Sequence, residues 1–142
     1  MVENGDAFAS RFTIRLLRSW SASRAYAAPD LLRMAELSAS WGLSDTVAPA
    51  CARLFELVEA HFGRALVSEC CCSPRLSADE RALLGLIRHA QTEDHGSPCP
   101  AGSQDPCDAI HHAARDALRA IAGRTAGSEL GAEPSSRSVA AA

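Results

Sequence analysis

Phe8, Phe12, Leu16 and Trp20 fall four residues apart. That spacing puts all four on one face of an α-helix, whereas the two-residue alternation of a half-buried strand would scatter them. Asp6 is placed to cap this helix, which is expected to run to about Ala27. Arg11, Arg15 and Arg18 lie on the opposite side, so they are expected to be solvated while the aromatic side chains enter the core. A basic amphipathic helix of this kind also suits an acidic partner or a membrane surface, but a solvated face explains the pattern without either.

The same periodicity returns between turn signals. Pro29 and Asp30 open a second helix carrying Leu31, Met34 and Leu37, and Gly42 suits a left-handed C-cap after it. Pro49 fits the first turn of a third helix with Cys51, Leu54, Phe55, Val58 and Phe62 inward, stopped at Gly63. "RALVSE" is a short extended piece, and one strand makes no sheet. Ser77 and Glu80 form S-x-x-E, the capping-box pattern, ahead of a helix to about His89 with Leu83, Leu84 and Ile87 inward. "TEDHGSPCPAGSQ" reads as a loop, and Asp105 with Pro106 opens a last helix carrying Ile110, Ala114, Ala117 and Ile121. From Arg124 onward the periodicity is lost. The expectation is an all-α, single-domain bundle of about five helices over residues 1–123, with a short extended cysteine-rich segment and a disordered tail over residues 124–142.

Composition agrees, with 47% apolar but only 5% aromatic residues in 142, a balance that favours alanine- and leucine-rich helices. The net charge of −3 gives no clustered positive surface, so nucleic acid is not expected as a partner. No run reaches the ~18 apolar residues of a membrane span. Arginines interrupt the first apolar stretch, so no signal peptide is expected. The expected location is cytoplasmic, where thiols stay reduced.

In that setting the six cysteines read as core thiols, metal ligands or redox groups rather than a disulfide framework. Three stand together in "ECCCSPRLSADE". If that segment is extended, Cys70 and Cys72 share a face and Cys71 points away. Cys70 and Cys72 are then half of a soft-metal site, and Cys107 and His111, four apart on the last helix, are candidates for the other half around zinc or an iron–sulfur cluster. The plainer alternative buries Cys107 beside Ile110, with His111 at the edge of that stripe. A redox role is the second option. Cys72 stands shortly before a helix N-terminus and near Arg75, both of which favour a thiolate. Adjacent cysteines close strained rings, so Cys70–Cys72 is the easier disulfide. Cys51 falls on an apolar helix face and reads as core.

The order of a helix ending near Gly63, a short extended piece, a cysteine run, Pro74-Arg75, a hydroxyl residue, an acidic pair and an amphipathic helix resembles a family of small alphaproteobacterial proteins of unassigned activity. Their shared feature is a run of two or three cysteines, then proline and arginine, before such a helix. The resemblance covers residues 50 to 90, with Ser73 inserted between the cysteines and Pro74 as a departure. It implies a helical fold and marks the cysteine segment, and it brings no activity. No G-x-S-x-G, glycine-rich phosphate loop or H-E-x-x-H occurs. The functional expectation is therefore a non-enzymatic accessory or regulatory protein acting by protein contact, with a metal- or redox-responsive module as the alternative. The pattern names neither the partner nor the oligomeric state.

Overall fold

The computed structural model describes residues 5–25, 30–93 and 108–123. Over them the chain forms α1 (Gly5–Ala25), α2 (Asp30–Ser40), α3 (Val47–Phe62) and α4 (Ala78–Glu93), followed by α5 over residues 108–123. There is no strand among the described residues. The all-α bundle expected from the periodicity is what forms. The tail from residue 124, the loop before α5 and the start proposed for α5 at Asp105 and Pro106 lie outside the described residues.

Helix α1 is the centre of the bundle and packs against α2, α3 and α4. Its burial is correspondingly wider than one stripe. Phe12, Leu16 and Trp20 are buried as the spacing requires, and so are Thr13, Ile14, Leu17, Arg18 and Ser23. Gln91 near the end of α4 donates to the carbonyl of Asp6 at the start of α1 (3.1 Å). At the other end Arg18 of α1 meets Glu80 of α4. The two helices therefore run antiparallel. Trp20 packs on Phe55 of α3 with ring centroids 5.4 Å apart, and Arg24 pairs with Glu59 one turn further along both helices. So α1 and α3 run the same way.

The two glycines stop helices as expected. At the end of α2 the amide of Leu43 donates to Ser38 (2.9 Å) and that of Gly42 to Ala39 (3.0 Å). This is a Schellman pair around Gly42, whose φ is 72°. Gly63 ends α3 with φ 70° and donates to Glu59. Trp41, just past α2, is 40% exposed yet completes an aromatic cluster with Phe8 and Phe12, and the guanidinium of Arg15 lies 5.3 Å from its ring centroid. Ile110, Ala113, Ala114, Ala117 and Ile121 of α5 join the same core as the other helices. Among the described residues no helix is long and apolar enough to cross a membrane.

Phe55 is fully buried and packs, its ring tilted, against Trp20 where α1 and α3 meet. Truncation removes the ring and leaves a cavity that the helices only partly close. Phe55→Ala is expected to lower the free energy of unfolding by about 3–5 kcal/mol in urea titrations. A loss below about 1 kcal/mol would show that this contact is not part of the core.

Candidate functional site

The connector between α3 and α4, residues 64–77, carries the cysteine run, and it is held by side chains from three helices. Its first half is fixed by α4 and α3. Asp79 takes a forked pair from Arg64, Nη1 at 2.6 Å and Nη2 at 2.8 Å, and accepts from the amide of Val67 at 2.7 Å. The Arg64 hydrogen bonds, then the Val67 amide, draw the Asp79 carboxyl down to about 2 from an ordinary value near 3.8. Glu59 accepts from the amide of Leu66 at 2.7 Å, and Ser77 Oγ donates to the carbonyl of Val67 at 2.6 Å.

The second half is fixed by α1. Arg18, expected among the solvated arginines, is instead only 9% exposed, and Glu80 is 0% exposed. Arg11 and Arg15 do remain exposed. Arg18 Nε donates to Glu80 Oε2 at 2.7 Å and Nη2 to Oε1 at 3.1 Å. The same guanidinium donates to the carbonyls of Ser73 (2.9 Å) and Arg75 (2.8 Å). Burial pushes the Glu80 carboxyl up, but the hydrogen bonds from Arg18 and from the Ser77 amide outweigh it and hold the group below the usual carboxylate range. Hydrogen bonding to Glu80 raises Arg18 against the opposing effect of its burial.

The capping box forms as the motif demands. The Glu80 amide donates to Ser77 Oγ at 3.0 Å, and the Ser77 amide donates to Glu80 Oε1 at 2.9 Å. One carboxylate thus caps α4 and anchors a charge from α1. The capping role is legible in sequence, whereas the partner is 62 residues away and shows no local signal.

The cysteines sit on a turn rather than on an extended strand. The amide of Ser73 donates to the carbonyl of Cys70 at 3.0 Å, so Cys71 and Cys72 are the central residues. All three thiols are free and exposed. This corrects the expected pairing across a pleat with Cys71 turned away. Cys72 is shifted up from its ordinary value, first by a hydrogen bond with Cys70 and also by Cys71. That is opposite in sign to a thiolate favoured by the helix end and Arg75. Arg75 is exposed, and its bonds in the connector are made by its backbone: the carbonyl accepts from Arg18, and the amide donates to Ser73 Oγ at 3.1 Å. Cys51, by contrast, is fully buried in α3, and burial pushes its thiol up to about 12. It is core, as read from its face.

Of the proposed metal set, His111 lies away from the cysteine turn. His111 of α5 packs against His89 with ring centroids 5.1 Å apart. His89 lies eleven residues beyond the first residue of α4, a rise of about 16 Å away from the cysteine turn. Cys107 lies outside the described residues. Among the described residues no three His, Cys, Asp or Glu side chains converge as metal ligands. The Nδ1 atom of His111 is buried and has no hydrogen-bond partner among the described residues. No family model, curated protein or solved structure is significantly similar to the chain.

Removing one partner of a buried pair strands the other charge, so Arg18→Met is expected to cost about 3–5 kcal/mol by chemical denaturation. The double variant Arg18→Met/Glu80→Leu is expected to be less unstable than the sum of the two single variants, because neither charge is left uncompensated. Strict additivity would show that the two groups do not act as a pair. Asp79 has a folded value below its unfolded one, so its stabilisation is present above about pH 4 and is lost as the pH falls towards 2. Asp79→Asn is expected to flatten the stability profile in that window, and an unchanged acid slope would contradict the assignment.

Proposed function

We propose that this chain is a small, non-enzymatic accessory protein whose working part is the cysteine turn, a thiol-responsive contact site held on a helical bundle. The observation that supports the reading is the exposure of Cys70, Cys71 and Cys72 as free thiols on a connector tied down on both sides. Core packing does not explain them, since none of the three is in the buried cluster. The fourth thiol of the described residues, Cys51, is withdrawn from solvent and carries the packing role. Exposed thiols persist in a reducing compartment, so the reading includes a cytoplasmic location and a partner that responds to the redox state of the turn.

Native-state alkylation with iodoacetamide at neutral pH, followed by peptide mapping, tests this. Cys70, Cys71 and Cys72 are expected to be modified at least about tenfold faster than Cys51, because reactivity follows thiolate fraction and access. Labelling of the run as slowly as Cys51 would remove the reading. Stoichiometric zinc or iron in protein purified without chelator would replace it with a metal site.

A further inference from the structure

We infer that His89 of α4 and His111 of α5 form a two-imidazole site for a divalent zinc ion, with solvent completing the coordination. The site is separate from the cysteine turn and independent of the thiol reading above.

The helices bring the two rings together. His89 lies near the end of α4 and His111 in the first turn of α5, with ring centroids 5.1 Å apart. Zinc takes imidazole nitrogen at about 2.0–2.1 Å, and a tetrahedral angle between two such ligands sets their ring centres about 5 Å apart. The observed separation is therefore the one a shared ion requires. The ring planes are inclined at 60°, so the rings do not stack. The terminal torsion of a histidine is broad, so the exposed His89 ring turns a nitrogen towards His111 without moving either backbone.

A second observation points to a ligand. A neutral imidazole has one donor nitrogen and one acceptor nitrogen. Nδ1 of His111 is buried and has no hydrogen-bond partner among the described residues. A shielded polar atom in that state costs free energy, and a cation between the rings would take up its lone pair. His89 is exposed and His111 half-buried, which leaves an approach for the ion from the His89 side. On the same side of α5 Asp108 stands three residues before His111 and Arg115 four residues after it, so the charges flanking the ring on its own helix balance.

The chemistry limits the site to exchangeable binding. No third His, Cys, Asp or Glu side chain among the described residues converges on the pair, whereas structural zinc sites are closed by four protein ligands. The ion is therefore expected to bind from solution and to be lost on desalting. Bound, it would tie α4 to α5 and stabilise the fold, because the unfolded chain does not hold the two rings together.

Zinc chloride titration is the test, followed by long-range proton–nitrogen spectra of the imidazoles and by thermal melts. The background is Cys70→Ser/Cys71→Ser/Cys72→Ser/Cys99→Ser/Cys107→Ser, which removes every competing thiol but the buried Cys51. The His89 and His111 signals are expected to shift together and to saturate at one zinc per chain, with His61 unmoved and the melting midpoint raised. His89→Ala, at an exposed position that leaves the fold intact, and His111→Ala are each expected to weaken binding at least about tenfold, since loss of a ligand costs no less than loss of its supporting partner. A shift that does not saturate, or saturation unchanged in His89→Ala, would overturn the site. Weakening by only one of the two substitutions would reduce it to a single surface imidazole and overturn it as well. Zinc binding that requires the cysteines would assign the metal to them instead.

Discussion

Arg18 directs its guanidinium at two targets at once, the Glu80 carboxylate and the carbonyls of Ser73 and Arg75. A planar fork with five donors is suited to this, and a lysine ammonium would not reproduce the forked pair to the carboxylate while also reaching two carbonyls. Through that one side chain the central helix sets the position of the first turn of α4 and of the cysteine turn before it. The neighbouring acid completes the arrangement from the other side. Asp79 and Glu80 are consecutive, yet Asp79 takes the amide of Val67 and the fork of Arg64, whereas Glu80 takes Arg18. Two adjacent carboxylates at a helix start thus hold the two halves of one connector.

This network is not where most of the stability resides. Desolvating a charged pair costs about as much as the pair returns, and well-packed apolar replacements are often as stable. The folding energy comes from the apolar cluster around Leu16, Leu17, Met34, Leu54, Phe55 and Ile87, all nearly inaccessible to solvent, at about 1.5–3 kcal/mol for each large side chain buried. The pair instead selects one arrangement of a segment that has no strand partner and little apolar content of its own. Leu66 is its one fully inserted hydrophobic side chain, while Val67 is 62% exposed. Without the two clamps, nothing of comparable strength would fix the cysteine turn.

The helices were legible because their signals are local. The four-residue spacing in α1, the positive-φ glycines at 42 and 63 and the Ser77–Glu80 box each act within a few residues, and each appears where expected. Arg18 was not legible, since periodicity assigns an arginine to water unless its partner is known, and that partner is 62 positions away. For the same reason Asp79 reads as a charge favouring the helix dipole rather than as a clamp on the connector. The cysteine run was misjudged in one respect. Its conformation is decided by a hydrogen bond to Ser73 and by bonds from α1, and three identical residues carry no periodicity from which a turn could be told from a strand.

Separation of thiols by depth connects the fold to the chemistry. Cys51 sits where burial suppresses its ionisation and where α3 needs a small apolar side chain. Cys70, Cys71 and Cys72 sit where their side chains add nothing to the core, so they are released from packing constraints while their backbone is fixed. In a flexible loop, fixing the backbone of the run would cost about 1–2 kcal/mol per residue. Here Arg18 and Glu80 have already ordered the backbone during folding. The position of the turn therefore depends on a residue in the middle of α1, through its bond to the Ser73 carbonyl.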